Sequence, residues 1–171
     1  EDGSIYKDVA EVLLTQTKEN GKTTKQYTLN SGELDNGFSI CLSNDGNSIF
    51  ICGITNGDLS KNYSSKMTSS SWVGGRTDIF VAKYTLTQNG DLELTWITQY
   101  GSQYVDAAID ITIDDANDFL YVSGWTLSTQ DISSNSTDTT DGKSYVYISK
   151  LSLDGDIILT KNMILRENNK F

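Results

Sequence analysis

The chain has 171 residues, 37 % of them hydrophobic and 21 % charged, with a formal net charge of −10. That size and mixture fit a folded domain with a real core and exclude a disordered chain. The acidic balance, with no Lys/Arg patch, excludes a surface for nucleic-acid phosphates, and no apolar run approaches the ~20 residues of a membrane span.

There is no histidine, which removes the commonest general base and zinc ligand, and no proline, which leaves Gly, Asn, Asp and Ser to make the turns. A first residue of Glu1 rather than Met is expected of a processed form or a piece of a longer protein.

In chain order, the apolar segments are short and rich in Ile, Val, Tyr, Phe and Thr, and predict ten strands. An opening pair covers 8–14 and 23–29, joined at Asn20-Gly21. Four strands follow over 37–42, 48–54, 78–86 and 92–100. Four more cover 108–113, 119–125, 144–151 and 156–164. No stretch has a convincing 3.6-residue apolar period. Asn44-Asp45-Gly46-Asn47, Asn89-Gly90 and Asp154-Gly155 are hairpin turns by composition, because Asn-Gly and Asp-Gly tolerate positive φ. The connections 56–76 and 127–143 are long, polar and rich in Ser, Thr and Asn, and are expected to be mobile. Segments such as Ile40-Cys41-Leu42 and Ile49-Phe50-Ile51-Cys52 are apolar on both faces, as in a sheet covered on both sides.

The chain also repeats itself. Asp35 and Gly53 recur as Asp106 and Gly124, both 71 positions on, and Phe80-Val81-Ala82-Lys83 recurs as Tyr147-Ile148-Ser149-Lys150, 67 positions on. A four-strand meander repeated near 70 residues predicts propeller blades. The expected fold is all-β, a partial β-propeller of about two and a half four-stranded antiparallel blades. Residues 1–34 form a partial blade, with blades over 35–104 and 105–171. Closed propellers usually need ~4–8 blades, so the rest of the ring is expected from a longer chain or from neighbouring chains.

Asp106-Ala107-Ala108-Ile109-Asp110-Ile111-Thr112-Ile113-Asp114, with Leu120-Tyr121-Val122-Ser123-Gly124-Trp125-Thr126, resembles the SBBP repeat, a seven-bladed-propeller-associated family. Gly74-Gly75-Arg76-Thr77-Asp78-Ile79-Phe80-Val81-Ala82-Lys83 is similar to that family's third strand, and Trp96 with Tyr100-Gly101 to its fourth strand and the link onward. Unit two departs from the pattern, with Asp141-Gly142 in place of Gly-Gly, and unit one lacks the Ala after Asp35. The resemblance implies surface or secreted propellers with binding roles, and no catalytic residues to carry over. A kelch propeller shares a Gly-Gly and a Trp, but its period of ~50 residues does not fit.

Several residues are candidates for more than scaffold. Cys41 and Cys52 lie on adjacent strands. They face each other if the turn is Gly46-Asn47, which permits a cross-strand disulfide. If the turn is Asp45-Gly46, residue 41 pairs with 50 and 39 with 52, and a bridge would strain the sheet. Asn62-Tyr63-Ser64 and Asn135-Ser136-Thr137 are N-glycosylation sequons, one in each long connection. The acidic turns 44–47 and 114–118 lack the spacing and closing Glu of a calcium loop, so turn chemistry accounts for them. Asp35 and Asp106 fit carboxylates that tie down turns, with channel-lining ligand groups as the alternative. Trp96 and Trp125 are expected in blade-to-blade packing, and Trp72 is the candidate ligand contact. No catalytic, cofactor or metal residues are assigned.

These features predict a non-enzymatic extracellular or cell-surface module for protein or glycan recognition or structural assembly, with recognition on the long-loop face. The alternatives are a glycan-active propeller enzyme whose remaining catalytic residues lie outside this chain, and an intracellular scaffold.

Overall fold

The computed structural model describes residues 11–17, 21–70, 75–114, 116, 118–133 and 139–163. Short runs of β-branched and aromatic residues, broken by Gly-containing turns, fold into strands throughout. β1 (Val12–Thr17) and β2 (Thr23–Leu29) form a hairpin. β3 (Asp35–Leu42) and β4 (Ser48–Thr55) open a sheet that β6 (Asp78–Leu86) and β7 (Leu92–Tyr100) continue. β8 (Asp106–Asp114), β9 (Phe119–Thr126), β10 (Tyr145–Ser152) and β11 (Ile157–Met163) form the next. Both sheets are antiparallel meanders, and the fold is all-β and propeller-like.

The first sheet carries an addition that the sequence reading lacks. After β4 the chain makes a one-turn helix, α1 (Ser60–Tyr63), then a 3₁₀ turn over Ser64–Lys66, then a short strand, β5 (Met67–Ser70). β5 lies parallel to β7 and pairs Met67 with Ile97. It caps the outer edge of the first sheet, where a bare strand would expose a row of unpaired backbone groups. Met67-Thr68-Ser69-Ser70 has no alternating apolar pattern, which is why it reads as loop.

The three pieces stack. Residues paired across antiparallel strands share a sheet face, so the register assigns every side chain to a side. On one face of the first sheet, Ile51, Phe80, Ala82, Tyr84 and Ile97 pack against Val12 and Leu29 of the hairpin. On the other, Phe50, Cys52, Val81, Trp96 and Tyr100 pack against Ala108, Ile111, Leu120, Val122, Tyr147 and Leu151 of the second sheet. The middle strand β4 is therefore covered on both sides, as its sequence requires. β3 departs from that expectation: Phe38, Ile40 and Leu42 are about half exposed.

The repeat holds atom by atom. Asp35 Oδ2 accepts from the Ser31 amide (2.7 Å) and hydroxyl (3.0 Å). Asp106 Oδ2 accepts from the Ser102 amide (2.5 Å) and hydroxyl (2.8 Å). The Ser31 and Ser102 hydroxyls in turn accept from the Glu33 and Tyr104 amides. A Cβ at Gly53 would overlap the Asn36 carbonyl oxygen, and one at Gly124 the Ala107 carbonyl oxygen. Close backbone approach thus demands glycine at both positions.

Candidate interaction surfaces

The interface between the two sheets sets the standard against which the open surfaces are judged. The turn between β10 and β11 reaches across and docks on the first sheet. Leu153 O accepts from Trp96 Nε1 at 3.0 Å and from Lys83 Nζ at 3.4 Å, and Gly155 O accepts from the Thr98 hydroxyl at 2.6 Å. Gly155 sits at φ +92°, and a Cβ there would come within 2.9 Å of Trp96, Thr68 and Thr98. Nearer the inner edge, the Ser39 hydroxyl donates to Asp110 at 2.7 Å.

The long connections anchor this packing. Leu59 is fully buried in the core beside the hairpin, and Ile132 is 1 % exposed in the core between the sheets. Each sits in an Asp-aliphatic-Ser triplet. Asp58 Oδ1 accepts from the Ser60 amide and hydroxyl, and Asp131 Oδ1 from the Ser133 amide and hydroxyl. The carboxylate closes a small turn that points the aliphatic side chain inward. Gln99 holds the first loop further: its Oε1 accepts from the Leu59 amide and its Nε2 donates to Gly57 O. In the second, Asn162 Nδ2 donates to the carbonyls of Ser128 and Gln130. In its described part each polar loop thus buries an aliphatic anchor in the core. The Asp58-Leu59-Ser60 and Asp131-Ile132-Ser133 match was present in the sequence as the signal.

Two apolar surfaces remain uncovered in the described structure. The first is a groove of about 390 Å³ between β1 and β3, lined by Val12, Leu13, Leu14, Phe38, Ile40 and Ile51 among others. The second is the far face of the second sheet, where Val146, Ile148 and Leu159 are about half exposed. Tyr121 pairs with Lys150 and Trp125 with Val146 on that side. The Lys150 ammonium lies 3.4 Å from the Phe119 ring centroid. Lys150 is the repeat counterpart of Lys83, whose ammonium lies 5.5 Å from the Phe50 centroid and is covered by Leu153.

No disulfide joins Cys41 and Cys52. The register pairs Cys41 with Phe50 and Ser39 with Cys52, so the cysteines are diagonal neighbours. Diagonal Cα atoms lie ~7–8 Å apart, beyond the ~4.4–6.8 Å that a disulfide spans. The Asp45-Gly46 turn, with Gly46 at φ +71°, decides this register. Burial pushes the Cys52 thiol up to about 12, with a smaller contribution from Asp110. Burial also holds the Tyr84 phenol at about 12 and raises those of Tyr100 and Tyr147.

Asn62 lies exposed on α1 with its Nδ2 donating to Asn30 O. Asn135 and Trp72 fall outside the described residues. Trp96 packs between the sheets, and Trp125 stands half-buried on the far face. Asp45 accepts from the Ser43 hydroxyl and from the Asn47 amide and side chain; the Ser43 bond, foremost, keeps its carboxyl below the usual range. Asp35 and Asp106 are fully buried, and each holds its own turn through Oδ2. Among the described residues no cluster of three His, Cys, Asp or Glu side chains is placed to hold a metal, and no helix is long and apolar enough to cross a membrane.

No protein-family model matches the chain, and a search of curated proteins finds no match.

Proposed function

We propose that the chain is a non-enzymatic propeller module of the cell surface or extracellular space, working in structural assembly or in recognition of a protein or glycan. The observation that carries this reading is the contrast between an interior interface closed by hydrogen bonds and two apolar faces of the same kind left open by the described residues. Contiguous exposed apolar surface on a folded protein marks sites of association. Asp35 and Asp106, the carboxylates first considered as ligand groups, each commit one oxygen to holding a turn, which favours a structural role for them. Resemblance to the SBBP repeat and the sequon at Asn62 favour the extracellular setting.

The recognition surface is assigned accordingly to the open sheet faces rather than to the long-loop face, because Leu59 and Ile132 anchor those loops in the core. The test is capture of a purified protein or glycan partner by the intact chain, repeated with Ile40→Lys and with Ile148→Lys. Loss of capture in at least one variant is expected. Capture unchanged in both, or turnover of a glycan panel that Asp106→Asn abolishes, would overturn the reading. Intact-mass measurement of the native protein tests the setting, with added glycan mass expected.

A further inference from the structure

The repeat supplies an internal template for what belongs in the groove beside β3. β8, the innermost strand of the second sheet, packs chiefly against β3, β4 and β6 of the first. Its counterpart β3, 71 residues earlier, meets the hairpin chiefly through β1. In the repeat β1 stands where β6 stands: each pairs with the strand after it, and the sequence has an Asn-Gly between the two strands in both cases. Among the described residues, the counterparts of β3 and β4 are therefore what the groove lacks. The side chains agree. Ile111 is 4 % exposed against the first sheet, whereas its counterpart Ile40 is 49 % exposed. β1 pairs with β2 along one edge, and no other described strand pairs with it. The groove is continuous with the covered face, since Val12 and Leu14 line it and also pack in the core beneath the hairpin.

We propose that this groove receives a two-stranded antiparallel β-hairpin from another polypeptide segment, added edge-on to β1 and laid over Phe38, Ile40 and Leu42. The inference rests on the reading of the chain as a binding module and names the partner's chemistry. Main-chain hydrogen bonds to the β1 edge supply the generic attraction, and alternate side chains in the groove supply the selection. The strand beside β1 presents aromatic or aliphatic residues at alternate positions, as β4 presents Phe50 and Cys52 to the second sheet. Strands of about eight residues match the eight of β3.

The probe is a synthetic peptide of sequence 35–55 with both cysteines replaced by alanine, since this segment fills the equivalent place in the next interface. A second form replaces Asp35 and Thr55, which pair directly, by a disulfide-linked cysteine pair to hold the hairpin. Hydrogen exchange is followed on the 171-residue chain as peptide is added. Saturable protection of residues 12–17 and 38–42 is expected. Ile40→Lys should weaken binding by at least about tenfold, because it places a charge where an aliphatic group was to be buried. Ile148→Lys, on the far face, should leave peptide binding unchanged. No protection of 12–17 with either peptide form, or protection that survives Ile40→Lys, would overturn the proposal. So would concentration-dependent dimerisation protecting the same residues without peptide, which would assign the groove to a second copy. Partner capture through the far face would persist in those cases, so failure of this inference leaves the broader reading separately testable.

Discussion

The hairpin and the second sheet cover opposite faces of the first sheet, yet they do so unequally. The second sheet lays four strands down and sends the Asp154-Gly155 turn into a pocket formed by Thr68, Trp96 and Thr98. The hairpin lays two strands down, and the corresponding turn of the first sheet, Asn89-Gly90-Asp91, meets it through exposed contacts, from Gln16 Nε2 to Gly90 O and between Lys25 and Asp91. The difference teaches that the same repeat sequence is stable in two environments. Residues that hold a sheet internally, such as the Ser–Asp ties, look alike in both units. Residues that hold the sheets together differ with what lies opposite.

The largest contrast is expected at the two turns. Gly90 and Gly155 both have positive φ, so alanine strains either by ~1 kcal/mol. At Gly90 a Cβ meets open space, and at Gly155 it meets Trp96 and two threonines. Urea unfolding should show Gly155→Ala losing ~3 kcal/mol or more and Gly90→Ala only ~1. Equal losses would remove the docking role of the 154–155 turn.

Next come the loop anchors. Leu59→Ala and Ile132→Ala should each cost ~2–4 kcal/mol by leaving a cavity. A negligible cost at either would restore the picture of loose loops.

Alkaline pH acts on the interior of the stack. Cys52 and Tyr84 are held at about 12, and Tyr100 and Tyr147 are also raised. The folded state thus keeps these protons more tightly than the unfolded chain does. Their contribution is complete below pH ~9 and is lost as pH rises through ~9 to 12. Tyrosinate absorbance should grow in step with unfolding rather than ahead of it. Full titration of all nine tyrosines in a still-folded protein would contradict the packing.

The smallest effect is chemical. Cys41 is half-buried and Cys52 buried, so an alkylating reagent at pH 8 should modify one thiol rapidly in the folded chain and both after denaturation.

Much of this was legible in residues. β2, β6 and β7 follow directly from their β-branched runs and bounding turns, and the 71-residue offset located the paired Asp and Gly positions. The strand expected over 8–14 lies partly outside the described residues, and β1 runs on to Thr17, because Thr15, Gln16 and Thr17 are recruited by pairing with β2 rather than by their own hydrophobicity. β5 was invisible for a similar reason, since Met67–Ser70 is held by the edge of β7. The choice between a bridged and an unbridged Cys41/Cys52 pair turned on a one-residue register, which composition does not fix. The anchors Leu59 and Ile132 were hidden by the polarity around them, although their Asp-aliphatic-Ser setting repeats.

The most direct measurement compares Ile40 with Ile111, the same position of the repeat in two surroundings. Unfolding of Ile40→Ala and Ile111→Ala in urea should show losses of under ~1 and of ~2–4 kcal/mol respectively. Equal losses would contradict the account, because they would mean that β3 is as fully covered as β8 and that no half-built interface exists beside it.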